Sequence, residues 1–341
     1  MAITAKQLAA LLGLSEAAVS LALNDKPGVS NQTRKRVFEA AKQHGYDFSR
    51  RGALSMDKHR SICFAIYKKS GAVVSDTPFF STLMDGVGMS CRREGYECVI
   101  RYLFEDDDLE DQIVSLCSSG FSGMIVLATE MMEATLQYFD TLNFPVVFMD
   151  AYFERPEYNY VLINNLQGAY MATAYLIRKC GTQPGYLHSS YWISNFEQRA
   201  DGFYKAIRSE GMSASQSAVH LLSPSQEGAY GDMKKLLDSG IRPAQCYFAD
   251  NDLIAIGAIQ AFKEAGYRIP EDISVVGFDD SPACECMVPA LTTILVPKLF
   301  LGETAVARLL QLIEGKCSRP LKLEVSTTLI KRKSVFIREK L

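Results

Sequence analysis

The sequence predicts an α/β protein with two doubly wound parallel-sheet subdomains, preceded by a small all-α domain. From residue 61 onward, apolar strand-like runs alternate with segments of helical period, which is typical of a parallel sheet covered by helices. The alternation occurs as two successive series, one starting at SICFAIY (61–67) and one at YVLINN (160–165). Before residue 48 the pattern differs, because three short helical segments follow one another there without a strand-like run.

Charge is distributed unevenly along the 341 residues, whose formal net charge is -3. Residues 1–60 hold ten Lys and Arg against five Asp and Glu, whereas residues 61–341 hold 26 against 34. A basic head therefore precedes an acidic body. This asymmetry indicates a nucleic-acid-binding head, which the overall acidic balance would have hidden.

Composition argues against several classes of protein. No apolar run approaches the ~18 residues of a membrane span, and the N-terminus lacks the pattern of a secretory signal, so we expect a cytoplasmic protein without membrane contact. The nine cysteines are scattered through apolar or helical stretches, which favours reduced, buried thiols. The four histidines make no metal spacing with a cysteine, and no glycine-rich nucleotide fingerprint occurs. We therefore expect no metal, no cofactor and no catalytic residue.

The sequence of the head predicts three capped helices. The run AKQLAALL (5–12) ends at Gly13, Ser15 is a good N-cap for a second helix, and Ser30 caps a third that closes at Gly45. Two short helices joined through a glycine-containing turn, with a third in support, follow the helix-turn-helix plan. Periodicity alone would also fit an ordinary three-helix bundle.

Specific motifs favour the first interpretation. The blocks A-x-x-x-G-L-S-x-x-x-V-S-x-x-L-N (9–24) and V-S-x-x-T-R-x-R-V (29–37), followed by G-Y (45–46), resemble the DNA-binding head of the LacI/GalR family of bacterial transcription regulators. The resemblance implies that four residues face bases in the major groove: Glu16, Ala17, Ser20 and Leu21. It also implies that five residues contact the phosphate backbone: Ser15, Asn24, Ser30, Thr33 and Arg34.

The groove-facing set departs from many relatives at Leu21, where an arginine is frequent. This head therefore lacks that guanidinium for a bidentate contact to guanine. Ala17 and Leu21 can contact a thymine methyl, and Glu16 can accept a hydrogen bond from a cytosine amine, so we expect an unusual operator. Glu16 could equally be an acidic first-turn residue favoured by the helix dipole.

Residues 48–60 correspond to the family's hinge, a short helix whose leucine wedges into the minor groove and kinks the DNA. Leu54 is the candidate wedge, with Arg50 and Arg51 as phosphate contacts. Phe48 stands where proline is usual, and Gly52 weakens a helix by roughly 1 kcal/mol relative to alanine. A flexible basic linker is the alternative.

The body carries polar residues where predicted strands end, including Asp150 after PVVFM, Asn251 after QCYFA and Asp279 after ISVVGF. Ligands of open α/β sheets bind outside those strand ends. Carboxylates and amides beside aromatic faces suit a polyhydroxylated ligand. Any one of these residues, Asp252 above all, could instead be a helix cap.

Residues 61 to about 335 resemble the effector-binding core of the same family, and through it the periplasmic sugar-binding proteins. The resemblance is carried by the segments DTPFFSTLMDGV, PVVFMD, QRADGF, ADNDLIAIGAIQAF and PEDISVVGFDDSPACECMVPALTTI. It implies effector contacts from Asp150, Arg199, Asn251 and Asp279. Aromatic candidates for the walls of the site are Phe79, Phe80, Tyr191, Trp192 and Tyr230.

The predicted organisation has three parts. Residues 1–47 form the helix-turn-helix domain, 48–60 the hinge and 61–341 the effector-binding domain. Within that domain, one subdomain comprises 61–161 plus about 293–325, and the other comprises 162–292 plus the C-terminal strand.

These features predict a sequence-specific DNA-binding transcriptional regulator, a repressor, that binds a pseudo-palindromic operator as a homodimer. A small effector, a sugar or a sugar derivative, would bind between the subdomains and control operator affinity. Alternatives are a sugar-binding protein without DNA regulation, a sugar enzyme that uses Asp279 and Asp280, and a regulator that answers to a protein partner. A phosphorylated effector is a further alternative, suggested by Lys68 and Lys69, although such charges are usually solvated.

Overall fold

The computed structural model describes residues 3–23, 28–44, 46, 60–74 and 77–336. The chain divides into two compact units, Met1–His59 and Arg60–Leu341. The first is called the head and the second the body.

The head contains helices α1 (Ala5–Leu12), α2 (Glu16–Leu23) and α3 (Asn31–Gln43). A capping box of Thr4 and Gln7 starts α1, and Gly13 ends it with φ 65°, a left-handed conformation that suits glycine. Leu8, Val19 and Val37 are fully buried and form the centre of the head's core, one from each helix. Apolar spacing and caps therefore produce the three helices that the sequence predicts.

The first lobe of the body is built on a six-stranded parallel sheet in the order β11-β5-β4-β3-β1-β2. Its strands are β1 (Ser61–Lys68), β2 (Glu97–Phe104), β3 (Gly123–Leu127), β4 (Val146–Met149), β5 (Asn159–Ile163) and β11 (Lys322–Val325). Alternate residues of β1 face opposite ways. Phe64 and Ile66 pack with α4 (Pro78–Arg93) and α11 (Lys298–Ile313), whereas Tyr67 packs with α5 (Leu109–Cys117) and the 3-10 segment Glu133–Thr141.

The second lobe has a four-stranded parallel sheet in the order β7-β6-β8-β9. Its strands are β6 (Gly185–Ser189), β7 (Val219–Leu222), β8 (Cys246–Ala249) and β9 (Ser274–Val276). Its helices are α6 (Asn165–Cys180), α7 (Ser194–Ser209), α8 (Gln226–Asp238), α9 (Asp252–Glu264) and the short α10 (Ala283–Cys286). Two parallel sheets covered by helices after a small helical head confirm the predicted fold class.

The chain passes between the lobes near residues 164, 296 and 326. Beside the last two passages, β10 (Thr293–Leu295) pairs antiparallel with β12 (Thr328–Ile330). The predicted subdomain boundary near 293 falls at this pair, and the chain joins the first lobe only from α11 onward. Among the described residues no single helix is long and apolar enough to cross a membrane, and the pair α1–α2, bent by 113°, meets that test only when both helices are counted together.

Candidate functional site: the recognition helix and the interlobe site

Helix α2 presents the predicted base-reading positions on one face. Glu16, Ala17 and Ser20 are exposed and Leu21 is half-buried, while Val19 between them is buried in the core. Ser15 caps the helix, because its Oγ accepts a hydrogen bond from the N–H of Ala18 at 3.0 Å. The helix therefore offers a continuous outer face with a fixed N-terminus.

The start of α3 carries two hydroxyls side by side. Ser30 Oγ accepts from the N–H of Thr33 at 3.2 Å and lies 2.8 Å from Thr33 Oγ1. The positive end of the helix dipole at such a terminus favours an anion such as a phosphate. The predicted phosphate contacts Ser30, Thr33 and Arg34 lie at this terminus, and their contact with DNA stays a prediction. The other predicted DNA contacts lie outside the described residues: Asn24, Arg50, Arg51 and Leu54.

In the body, the carboxyl ends of strands from both lobes meet at a cluster of polar side chains that are buried or, at Asp279, partly buried. This cluster is called the interlobe site, and it consists of Asp150, Asn165, Asn195, Arg199 and Asp279. Its members come from the end of β4, the start of α6, the first turns of α7 and the segment after β9. The topology thus places ligand-type side chains at the position where open α/β sheets bind ligands.

Asp150 is the first-lobe member of the interlobe site. It is 1% exposed and adopts φ 62°, a left-handed conformation that Asp tolerates better than most residues. Thr129 Oγ1 donates to its Oδ2 at 2.6 Å, and Asn195 Nδ2 donates to its Oδ1 at 3.1 Å and to its carbonyl oxygen at 3.0 Å. Burial raises the pKa of Asp150 to about 6, although Thr129, Arg199 and Asn195 act in the other direction.

Arg199 is the centre of the interlobe site. It is 3% exposed, its Nε donates to Asn165 Oδ1 at 3.0 Å, and its Nη1 donates to the carbonyl oxygen of Asp250. Its guanidinium lies 3.8 Å from the centroid of the Phe278 ring, a cation–π contact in a buried setting. These contacts hold the guanidinium in one orientation, so that its Nη2 points to Asp279 at 3.4 Å.

Asp279 has acceptor capacity that the protein leaves unused. Its φ is 111°, and its buried Oδ1 lies 3.4 Å from Arg199 Nη2 in an ion pair but makes no hydrogen bond. Burial raises the pKa of Asp279 to about 7, against the opposing charge of Arg199. An oxygen of this kind favours a ligand that donates a hydrogen bond.

The neighbouring acids have other partners. Asp280 Oδ1 accepts from Arg332 Nη1 at 2.7 Å, so Asp280 does not form a carboxylate pair with Asp279 in front of Arg199. Asp250 is fully buried and accepts from Tyr186, from the N–H of Ser189 at 2.7 Å and from His188 Nδ1 at 2.7 Å. These two carboxylates hold the backbone that presents the interlobe site.

The cap interpretation applies to Asn251 and is wrong for Asp252. Asn251 Oδ1 accepts from the N–H of Ile254 at 2.8 Å, so this predicted effector residue caps α9. Asp252 instead accepts from Thr293 Oγ1 at 2.6 Å and from the N–H of Ser281 at 2.7 Å.

Sequence reasoning missed Thr129 and Asn195. Both are polar residues near the carboxyl end of a strand or the start of a helix, and Asn195 lies one helical turn before Arg199. Asn165 follows β5 and begins α6. It joins the lobe-two side of the site, because its Nδ2 donates to Asn195 Oδ1 at 3.1 Å.

The aromatic candidates separate into three groups. Phe79 lies near the interlobe site, since Lys298 Nζ is 5.6 Å from its ring centroid and also donates to the carbonyl oxygen of Asp279. Trp192 follows Tyr191 after β6 and is 49% exposed. Phe80 is buried and packs edge-on against Phe79, with 5.0 Å between the ring centroids. Tyr230 donates its hydroxyl to Glu264 at the far end of α9, so its hydroxyl is directed away from the site.

Lys68 and Lys69 do not form a phosphate cradle. The ammonium of Lys68 lies 5.3 Å from the ring centroid of Tyr102, and that of Lys69 lies 3.9 Å from Glu105. Both partners belong to β2 or follow it directly, so these charges are directed toward the edge of the first sheet.

Two family models match the chain. Residues 4–48 match the model described as bacterial regulatory proteins, lacI family, and residues 174–335 match the periplasmic binding protein-like domain. The transcriptional repressor PurR of Mannheimia succiniciproducens is 31% identical over 336 residues, which are 97% of this chain and 98% of that protein. The chain belongs to the LacI family of bacterial regulatory proteins.

Other members of the family are also similar to this chain in sequence or in structure. PurR of Yersinia enterocolitica is 32% identical over 97% of this chain and 96% of its own length. A LacI family regulator from Enterococcus faecium with bound ribose is 26% identical at a TM-score of 0.69, over 81% of this chain and all of that one. The lac repressor dimer bound to operator is 24% identical at a TM-score of 0.71, over 98% of this chain and all of that one, and supports the fold. This chain is a DNA-binding transcriptional regulator of the LacI family.

Proposed function

We propose that this regulator is a repressor whose affinity for its operator is controlled by a sugar or sugar derivative bound at the interlobe site. The observation that carries the proposal is the pairing of a buried, oriented guanidinium with a carboxylate that has an unused acceptor. Arg199 can donate to ring or hydroxyl oxygens, while Asp279 and Asp150 accept from hydroxyls. The ribose bound to the 26% identical regulator from Enterococcus faecium supports the same ligand class.

The site also provides a route from ligand to DNA. Asp150 belongs to the first lobe, and Asn195, Arg199 and Asp279 to the second, so a ligand that contacts both groups stabilises one arrangement of the lobes. Control of DNA binding requires that the effector prefers one of two such arrangements. The regulator acts in the cytoplasm, where its DNA is, and it binds the effector without turning it over.

At the DNA, we assign base reading to Glu16, Ala17, Ser20 and Leu21 on the outer face of α2. Ser15, Ser30, Thr33 and Arg34 position the head on phosphates. Asn24, Arg50, Arg51 and Leu54, which lie outside the described residues, add further contacts to the DNA. The regulator binds a pseudo-palindromic site as a homodimer, because two identical heads recognise two half-sites.

A panel of sugars in a thermal-shift assay tests the effector class, because a ligand that binds only the folded state raises its melting temperature. We expect at least one sugar to stabilise the full chain and to change its affinity for operator DNA. Arg199→Lys should abolish that stabilisation, since lysine lacks the paired donors. The control is Arg178→Lys, which alters an exposed ion pair with Glu210. If no sugar stabilises the wild type, or the Arg199 variant responds equally, the proposal is wrong.

A further inference from the structure

Glu130 is a buried carboxylate whose partners are all backbone N–H groups of one loop. It follows β3, is 2% exposed, and has no cation within ion-pair distance among the described residues. Its Oε2 accepts from the N–H groups of Lys69, Ser70 and Gly71 at 3.0, 3.1 and 2.9 Å. Its Oε1 accepts from those of Val73 and Val74 at 2.7 and 2.8 Å.

These five bonds fix the conformation of residues 69–74, called the clasp loop. Burial alone would raise the pKa of Glu130, but the N–H groups of Val74, Val73, Gly71 and Ser70 outweigh that effect and lower it. The carboxylate is therefore charged at neutral pH. A charged group that accepts several backbone bonds restrains a loop more firmly than neutral acceptors do.

The clasp loop reaches the opposite lobe. Ser70 Oγ donates to the hydroxyl of Tyr191 at 2.8 Å and accepts from the N–H of Ala72 at 3.1 Å. Ser70 follows β1 of the first lobe, whereas Tyr191 follows β6 of the second. One carboxylate in the first lobe thus determines where a hydroxyl meets the second.

A single hydrogen bond between exposed hydroxyls is weak and cannot also order a six-residue loop, since ordering a loop has a large entropic cost. Glu130 removes that obstacle, because its bonds order the loop whether or not Tyr191 is engaged. The contact can then form and break as the lobes move, without the loop unfolding each time.

We propose that the clasp loop, positioned by Glu130, joins the two lobes through Ser70 and Tyr191 and so holds the lobes in the arrangement that forms the interlobe site. Glu130 is a positioning residue and does not contact the effector. The role of the clasp in effector retention rests on the proposed effector function, whereas its role in holding the lobes together does not.

Trp192 offers a fluorescent probe beside the clasp contact. It is the only tryptophan of the chain, adjoins Tyr191 and is half-exposed, so its accessibility to acrylamide should increase when the lobes separate. We expect Tyr191→Phe and Glu130→Gln to increase the quenching constant about twofold in the full chain without effector. The matched control is Tyr230→Phe, which also loses one hydroxyl contact, with Glu264, but away from the interlobe site.

Tyr191→Phe keeps the ring and removes one oxygen, so it tests whether the Ser70–Tyr191 contact holds the lobes together even if Glu130→Gln fails to fold. The clasp is refuted if folded Tyr191→Phe quenches like the wild type. A sugar that binds the wild type should dissociate roughly five- to tenfold faster from Tyr191→Phe in a stopped-flow measurement, which is the effect of losing one hydrogen bond. Altered quenching with no sugar bound by the wild type would retain the clasp and reject the effector class. If a sugar binds but Tyr191→Phe shows the same quenching constant and the same sugar dissociation rate as the wild type, the clasp is rejected and the effector class is retained.

Discussion

At the scale of single residues, the interlobe site brings two carboxylates to one guanidinium. Asp150 and Asp279 both lie beside Arg199, and burial raises the pKa of the first to about 6 and of the second to about 7, from 3.8. Between pH 3.8 and about 7 the folded protein therefore binds a proton at Asp279 that the unfolded chain has lost. Stability should fall as the pH rises through this window, because the folded state must then carry the buried charge.

This imbalance predicts a stabilising substitution. Asp279→Asn removes the buried charge, and we expect it to stabilise the effector-free protein at pH 8 by on the order of 1 kcal/mol or more, and by less at pH 5. The expected loss of sugar binding would separate the two roles of Asp279. Thermal melts of both proteins at the two pH values measure the effect.

Asp272 provides a control of the opposite sign. Hydrogen bonds from Arg268 lower the pKa of Asp272 to about 2, so its contribution to stability is present above pH 3.8 and is lost as the pH falls toward 2. Asp272→Asn should slightly lower the melting temperature at pH 8. A lower melting temperature for Asp279→Asn at pH 8 would contradict the burial argument.

At the scale of elements, the close crossing of α4 and α11 forms one side of the first lobe. Gly86 and Gly302 allow the approach, because a Cβ on Gly302 would lie 2.7 Å from the backbone nitrogen of Val87 and 2.8 Å from the carbonyl oxygen of Leu83. Helix backbones in such contact cannot separate locally without disturbing the core beside them. Sequence periodicity predicts both helices but does not reveal that their glycines face each other.

Two glycine-to-alanine substitutions in these helices should change the free energy of unfolding in opposite directions. Gly302→Ala should destabilise the protein by roughly 1–3 kcal/mol, because the added methyl overpacks the crossing. Gly88→Ala, also in α4, should stabilise it by about 0.5–1 kcal/mol, because nothing lies within 4 Å of the new Cβ and alanine favours a helix. Urea denaturation of the three proteins measures the difference, and equal stability of the two variants would refute the crossing.

At the scale of the whole molecule, the edge strand β2 offers an apolar surface to a second copy. Ile100, Tyr102 and Phe104 alternate along it, each more than two-fifths exposed, and the rings of Tyr102 and Phe104 stack at 6.2 Å. An exposed apolar row on a sheet edge readily pairs with another chain. The proposed homodimer would cover this row.

If the homodimer forms through β2, disrupting this strand's surface should also weaken DNA binding. Tyr102→Glu should shift sedimentation toward the monomer and weaken operator binding at least tenfold, since one head then engages one half-site. Leu221→Glu changes a side chain that is 61% exposed on β7, an edge strand of the other lobe, and should leave both properties unchanged. A dimeric Tyr102→Glu protein with normal operator binding would move the interface elsewhere.

Local sequence predicts several residues of the interlobe site, but it does not predict those whose role depends on a partner in the other lobe. Asp150, Arg199 and Asp279 are placed by strand ends and family motifs, and the structure brings all three together. Asn195 escaped notice because its partner Asp150 is 45 residues away in the other lobe. Tyr230 bonds Glu264 instead of facing the site, because a helical side chain can point along its helix as easily as toward a ligand.

The sequence by itself determined the three-helix head, the α/β body and the strand-end positions, because caps, turn glycines and apolar periodicity act over a few residues. Only the tertiary structure decided which polar side chains remain available to a ligand. The side-chain oxygen of Asn251 caps α9, Asp280 pairs with Arg332 and Glu130 binds the clasp loop, whereas Asp279 Oδ1 accepts no hydrogen bond. The reason is physical: each outcome depends on contacts that form only when distant segments pack together.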